Sequence, residues 1–387
     1  MSFEYLEWPR FGDAERIALT TVLDSGKWWR NEGQFVAQVE YLLAEVEQAK
    51  YALAVSNGTH ALELALMATD VPRDSAVVVP ALTFYSSMAS IQKHGAYPAI
   101  ADVDLETWAL AAGWDDHLKP GACSAVMPVH YGGVPAPVDE IGKVAARIGA
   151  VMIQDTAHGP GIRCGGAPVT AYGDASCYSF QAAKLLPAGE GGAVIFRDKD
   201  VFDRARLMHN CGRAIDETGY DHREIGSNYR MNEFSAAVLS AQFGRFEELA
   251  KIRARNIAKF CERLSGNPLV TFQKCPGNGS LASQYLVQAR LPSTARAELR
   301  DAIVRELQHQ GIPANRVYPA LFELKSYWLR PEPGTTQGDL LDRCPNAALI
   351  SRTGLCFHHK MFLAEPDRID AMADEVARTI GETMMSA

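Results

Sequence analysis

Two residues of this 387-residue chain stand where chemistry can be done, Lys184 and Asp155. Lys184 lies in Ser179-Phe180-Gln181-Ala182-Ala183-Lys184-Leu185-Leu186-Pro187-Ala188-Gly189-Glu190-Gly191-Gly192, between a strand-like run (Ala175 to Phe180) and a second apolar run (Ala193 to Phe196). A lysine held in a cleft and partly stripped of water gives up its proton and attacks carbonyls, so Lys184 is a candidate Schiff-base lysine. Asp155 closes an apolar run in Val151-Met152-Ile153-Gln154-Asp155-Thr156-Ala157-His158-Gly159. That places it at the carboxyl end of a buried strand, where α/β folds hold their ligands.

Alone, Asp155 reads equally well as a cap or turn residue. Beside a Schiff-base lysine it gains a second use. Pyridoxal phosphate works as an electron sink only while its pyridine nitrogen stays positive, and an aspartate supplies the counter-charge. His158 would then stack on the ring or bond its phenolic oxygen; by itself it reads as structural. Ser56-Asn57-Gly58-Thr59-His60-Ala61-Leu62 joins a strand to a helical pattern, so its free N–H groups can hold a phosphate, with Gly58 allowing close approach. Ser179, five residues before Lys184, can donate to the same phosphate. In Pro80-Ala81-Leu82-Thr83-Phe84-Tyr85-Ser86 an aromatic, Phe84 or Tyr85, can stack on a planar cofactor or serve the core. Gly226-Ser227-Asn228-Tyr229-Arg230-Met231-Asn232-Glu233 is polar and then opens a long helix; Asn232 fits its cap, and Asn228 and Arg230 have no evident structural task.

These residues need a frame, and the order of elements supplies one. Strand-like runs at Tyr51 to Val55, Ala76 to Pro80, Ala99 to Val103, Ala125 to Val129 and Val151 to Ile153 alternate with helical patterns. Their continuous Val, Ile and Ala runs predict strands buried on both faces of a mainly parallel α/β sheet. Asp13 to Ser25, with Asp13 as its cap, and Gln34 to Val46 read as helices ahead of it. Helical patterns follow at Val201 to Met208 and Asn232 to Leu264. A strand (Tyr285 to Ala289), a helix (Ala295 to Gln310) and a terminal helix (Asp367 to Met384) indicate a smaller α+β unit. The expected division is 1–245 for a large cofactor-binding domain and 246–387 for a small one.

The composition, 47% hydrophobic with a net charge of −8, suits a large core and carries no basic block for nucleic acid or an anionic membrane. The eight cysteines are scattered without a C-x-x-C pair, so no zinc or iron–sulfur site is expected. No leader-like start or membrane-length apolar run is read, and the expectation is a soluble cytoplasmic protein.

Taken together, S-F-x-x-x-K-x-x-x-x-G-E-G-G at Ser179 to Gly192, S-N-G-T-H-A-L at Ser56 to Leu62, D-x-A-H at Asp155 to His158 and G-S-N-Y-R-M-N-E at Gly226 to Glu233 resemble the DegT/DnrJ/EryC1/StrS aminotransferases, in order and spacing. The resemblance implies a fold-type I pyridoxal-phosphate enzyme acting on keto-sugars or cyclitols, with Lys184 linked to the cofactor and shuttling protons. It implies Asp155 on the pyridine nitrogen, His158 on the ring or its oxygen, Phe84 stacked, and Gly58, Thr59 and Ser179 on the phosphate. Asn228 would reach the phosphate of a neighbouring subunit, hence a homodimer with shared sites. Trp8-Pro9, Gly26-Lys27-Trp28-Trp29-Arg30, Met127-Pro128-Val129-His130, His209-Asn210-Cys211-Gly212-Arg213, Arg343-Cys344-Pro345-Asn346 and His358-His359 are similar to the 3-amino-5-hydroxybenzoate synthase subgroup, which serves antibiotic biosynthesis and acts on an aminodehydroshikimate. Trp29, Tyr131, Arg213, Arg230, His358 and His359 are the candidate substrate contacts. Gln181-Ala182-Ala183 and Gly159-Pro160-Gly161 depart from that subgroup close to the site. The alternatives are a sugar or inosose-type cyclitol aminotransferase using glutamine or glutamate, and a non-catalytic regulatory relative, which would be expected to have lost Lys184.

Overall fold

The structure, a computed structural model, describes residues 7–116, 123–215, 220–277, 279–280 and 284–385. Its strands are β1 (Tyr51–Val55), β2 (Ala76–Pro80), β3 (Tyr97–Ala101), β4 (Cys123–Val126), β5 (Val151–Asp155), β6 (Arg163–Cys164), β7 (Ala167–Pro168), β8 (Ala175–Ser179) and β9 (Gly192–Phe196), followed by β10 (Thr271–Phe272), β11 (Gly279–Ser280), β12 (Leu286–Arg290), β13 (Ala314–Arg316) and β14 (Gly354–His358). Seven of them form the main sheet in the order β1-β9-β8-β5-β4-β2-β3. The pairs from β8 through β3 are parallel, and β9 runs antiparallel between β1 and β8. This is the expected mainly parallel sheet. Val77, Val78 and Val79 are wholly buried because helices cover both faces, which is why these strands read as unbroken apolar runs.

Four helices come first in the chain: α1 (Asp13–Ser25), α2 (Phe35–Glu47), α3 (Gly58–Ala68) and α4 (Tyr85–His94). The cap of α1 is Gly12 rather than Asp13: the Gly12 N–H donates to Glu15 Oε2 at 2.7 Å, so the acid three residues on closes the turn. Strands β3 and β4 each begin two residues earlier than their apolar runs suggest. Parallel pairing with β2 sets those starts, with Tyr97 and Cys123 both opposite Ala76.

A second sheet, β10-β12-β14-β13, packs with the helices Ala297–His309 and Pro366–Met385 around its own core of Ile303, Leu307, Phe357, Phe362 and Val376. The long helix Glu233–Leu264, capped by Asn232 as expected (Ser235 N–H to Asn232 Oδ1, 2.9 Å), serves both cores: Ala236, Leu239 and Phe246 join the first, Ile257, Phe260 and Leu264 the second. Position 245 falls inside this helix. Strands β13 and β14 and the helices Gln337–Arg343 and Pro345–Thr353 have no counterpart in the sequence expectations. Among the described residues, no helix is long and apolar enough to cross a membrane, and all eight cysteines are free thiols.

Candidate active site

The carboxyl ends of β1, β2, β5 and β8 converge on one cavity of about 250 Å³. At its deep end, Asp155 is buried and accepts two hydrogen bonds, from Ser87 Oγ to Oδ2 at 2.7 Å and from the Ala157 N–H to Oδ1 at 3.1 Å. Burial raises its pKa; the two donors and the nearby Lys184 ammonium pull it back down. His158 is buried beside it and takes the Gly132 N–H on Nδ1 at 3.1 Å. An imidazole nitrogen that accepts carries no proton, so the neutral ring has its N–H on Nε2. Burial, and secondarily Lys184, drive the pKa of His158 well below the usual value, which keeps the ring neutral.

At the other end of the cavity, Asn57 caps α3 by accepting the His60 N–H at 2.8 Å, which leaves the first turn of the helix facing the space lined by Gly58 and Thr59. Glycine is required at 58 by space: a Cβ there would sit 2.8 Å from the Ser179 Cβ. Thr59 Oγ1 and Ser86 Oγ lie 2.8 Å apart, and Ser86 and Ser179 complete this polar end.

Lys184 enters between the two ends. After β8 the chain folds back in a tight loop, with the Lys184 N–H on the Gln181 carbonyl (2.8 Å), the Ala183 N–H on Gln181 Oε1 (2.8 Å), and the Ala182 N–H on the Gly189 carbonyl (2.9 Å). Nζ of Lys184 lies 4.4 Å from the centre of the Tyr285 ring. Desolvation lowers the Lys184 pKa to about 8, against the opposing pull of Asp155. Phe84, Tyr285 and Tyr318 wall the opening, with Phe84 5.4 Å from Tyr318 and His158 4.6 Å from Tyr285.

A buried acid with two hydrogen-bond donors at one end, hydroxyls and a helix start at the other, and an easily deprotonated lysine over an aromatic ring are a donor set that fits pyridoxal phosphate. Residues 10–376 match the DegT/DnrJ/EryC1/StrS aminotransferase family. The chain belongs to that family. It is a pyridoxal-phosphate-dependent aminotransferase. It is 36% identical over 387 residues to the 3-amino-5-hydroxybenzoate synthase of Amycolatopsis mediterranei, covering 97% of each chain. It is 31% identical over 312 residues to the L-glutamine:scyllo-inosose aminotransferase of Streptomyces griseus, covering 76% of this chain and 72% of that one. The crystal structure of a 3-amino-5-hydroxybenzoic acid synthase superposes with a TM-score of 0.95 at 35% identity, covering 99% of this chain and all of the other.

In this aminotransferase, Gly58, Thr59, Phe84, Asp155, His158, Ser179 and Lys184 meet at the one cavity. Asn228, Trp29, Tyr131, Arg213, Arg230, His358 and His359 do not line it. Asn228 is exposed, bridged through its backbone to Asn210. Arg230 donates to Asn210 Oδ1 at 2.9 Å and lies 5.8 Å from the Trp29 ring, while the Arg213 carbonyl accepts from Asn210 Nδ2 at 3.0 Å. Tyr131 is buried and its hydroxyl accepts the Tyr318 N–H at 3.1 Å, so it supports the wall from behind. His359 is fully buried and its Nε2 donates to the Ala183 carbonyl at 3.0 Å, so it braces the peptide next to Lys184. His358 ends β14, 5.4 Å from the Tyr285 ring, and burial pushes its pKa to about 4.

Thr83, Ser86, Ser87, Glu190, Tyr285 and Tyr318 were not assigned from the sequence. The first three carried a usable signal, hydroxyl residues just after a strand at a helix start. Tyr285 and Tyr318 carried none, because only tertiary docking brings them to the strand ends.

Proposed function

We propose that this aminotransferase acts in secondary metabolism on a cyclic substrate of the aminodehydroshikimate type, as a 3-amino-5-hydroxybenzoate synthase does, in the cytoplasm as a homodimer. The observation that carries this reading is the full-length match to that synthase in sequence and fold. The wall of Phe84, Tyr285 and Tyr318 supports it, since three rings offer flat faces to a planar or near-planar substrate.

Pyridoxal phosphate, when bound, supplies a carbonyl for amines and a ring that takes up the electron pair released at the neighbouring carbon. Asp155 would hold its ring nitrogen and keep that nitrogen positive. The His158 N–H on Nε2 would serve the ring or its oxygen, and Phe84 would stack on the ring. Gly58, Thr59 and Ser179 would bind the phosphate. Lys184 would anchor the cofactor at rest and, once displaced, serve as general base, taking the substrate proton at Nζ and returning it. A pKa near 8 leaves a useful neutral fraction of Lys184 for that task at neutral pH. The paired histidines and Tyr131 act behind the rings rather than on the substrate.

The second subunit is proposed from two features. Asn228 lies exposed outside its own chain's cavity, as a residue serving a neighbour's phosphate would. Around the N-terminal helices Phe11, Ile17, Leu23, Trp28 and Tyr41 stand exposed, and such apolar residues favour burial against another copy. Arg213 and Arg230, also outside the cavity of their own chain, would meet a substrate carboxylate only across that interface.

Purified enzyme offered an aminodehydroshikimate should release an aromatic aminobenzoate, followed by its ultraviolet absorbance. No turnover of that compound, with amination of scyllo-inosose in the presence of glutamine, would replace this reading by the cyclitol one, which the inosose relative supports.

A further inference from the structure

The start of α4 touches both ends of the cavity. Ser86 Oγ lies 2.8 Å from Thr59 Oγ1 at the helix-start end, and Ser87 Oγ lies 2.7 Å from Asp155 Oδ2 at the deep end. Ser87 has a second neighbour, Thr83 Oγ1 at 2.9 Å, and Thr83, Ser87 and Asp155 are all buried. Hydrogen supply fixes the direction of this chain. An ionised carboxylate only accepts, so Ser87 must donate to Asp155 and has no proton left for Thr83. Thr83 therefore donates to Ser87. The order Thr83 to Ser87 to Asp155 holds only while Asp155 is ionised, and a hydroxyl that itself receives a hydrogen bond donates more strongly.

We propose that Ser87, polarised by Thr83, is a positioning residue that keeps Asp155 ionised and aimed along the cavity, so that the cofactor's ring nitrogen retains its proton. Burial works against the Asp155 charge, and the Ala157 N–H is the only other direct donor to that carboxylate among the described residues. Without Ser87 the shared proton moves from the ring nitrogen toward Asp155. Ser86, one residue away in the same turn, is the internal control, because its contact is with Thr59 and not with the acid.

The inference rests on the proposed pairing of Asp155 with the ring nitrogen, and its test separates the two. Cofactor isotopically labelled at the ring nitrogen is bound to wild type and to Ser87→Ala, Thr83→Val, Ser86→Ala and Asp155→Asn, and the nitrogen resonance is read by NMR alongside cofactor affinity. Ser87→Ala should move the resonance toward that of neutral pyridine and weaken cofactor binding about tenfold, the worth of a hydrogen bond to a charged group. Thr83→Val should shift it in the same direction by less, and Thr83→Ser should restore it. Ser86→Ala should weaken binding and leave the resonance in place. Thr83→Val reads the chain from its far end if Ser87→Ala does not fold. An unmoved resonance in both Ser87→Ala and Thr83→Val, or an equal shift in Ser86→Ala, overturns the inference while the Asp155 pairing stands. An unmoved resonance in Asp155→Asn overturns both.

Discussion

The floor of the cleft comes from the strand ends of one sheet, between residues 57 and 190, whereas its wall includes Tyr285 and Tyr318 from the segment that carries the second sheet. Floor residues need no long-range docking beyond the sheet itself: once β1, β2, β5 and β8 align, Gly58, Thr83, Asp155 and Ser179 are already neighbours. The wall depends on a few hydrogen bonds that cross between the two units. Those that hold Tyr285 and Tyr318 meet at one turn, residues 131–133, which also holds His158 from within the first unit. The Gly132 N–H holds His158, the Gly132 carbonyl accepts the Tyr285 N–H at 2.8 Å, and the Tyr131 hydroxyl accepts the Tyr318 N–H. The floor is thus set by secondary structure, and the wall by contacts between the two units, of which this turn supplies two.

The largest effect is expected on the floor. Lys184→Ala should lose at least about three orders of magnitude in turnover, since it would remove both the proposed anchor and the proposed general base. Borohydride reduction should then leave no cofactor attached to a lysine of the protein; an adduct at another lysine would sink the assignment. Gly132→Ala tests the wall. Gly132 has φ +74, and a Cβ there would lie 2.2 Å from Gln288 Oε1 and 3.0 Å from the Leu286 carbonyl. The variant should lose roughly 3 kcal/mol of stability through strain and overpacking, and should lose activity even where it stays folded. A stable, fully active Gly132→Ala enzyme would show that the wall does not hang on this turn.

Stability should also respond to pH in opposite senses behind the two regions. Glu47, under the floor, is fully buried, accepts the Gly161 N–H at 2.7 Å, and is pushed from 4.5 to about 7 by desolvation. Its folded-state pKa lies above the unfolded one. The unfolded chain therefore releases its proton first, and stability falls as pH rises from about 4.5 to about 7. His358, behind the wall, is pushed down to about 4, so its contribution is present above its unfolded value and lost as pH falls toward 4. Glu47→Gln keeps an acceptor for Gly161 and should stabilise the protein by roughly 2 kcal/mol at pH 8. It should change little at pH 4 and leave the acid-side loss intact. Denaturant melts at the two pH values check this; equal effects at both would rule out a titrating Glu47.

The same division decides what the sequence made legible. Asp155, Gly58, Ser179 and Lys184, which meet at the cavity, were singled out because each stands at or after the end of an apolar run, where α/β sheets put ligands. The strands of the main sheet were located for the same reason, β1 and β2 to the residue and β3 and β4 two residues late at their starts: burial on both faces leaves an unbroken apolar signature. β13 is three residues long and carries no such signature, and the apolar Leu355-Cys356-Phe357 of β14 was not read as a strand, so Tyr318 and the setting of His358 stayed hidden. His359 was singled out as a substrate contact, yet a histidine's type says nothing of which carbonyl it will meet, here that of Ala183. Ser87 stood out only as a hydroxyl at a helix start; its partner, Asp155, lies 68 positions away and could not be read from that signal.

Tyr285 is where floor and wall touch, and it should give the smallest and most specific effect. Its ring lies under Lys184 Nζ, and an aromatic face attracts an ammonium by about 1 kcal/mol at a partly buried site. Desolvation lowers the Lys184 pKa to about 8 against the pull of Asp155, and the ring's attraction for the ammonium acts in the same direction as Asp155. Tyr285→Phe keeps the ring face and should leave that pKa in place. Tyr285→Leu keeps the space apolar, removes the face, and should lower the pKa by up to about one unit, the equivalent of the lost attraction. Reductive methylation of the cofactor-free protein with a carbon-labelled reagent gives Lys184 an NMR signal whose pH titration measures the value directly. If the Leu variant titrates with the wild type, the ring bounds the cavity without acting on the lysine.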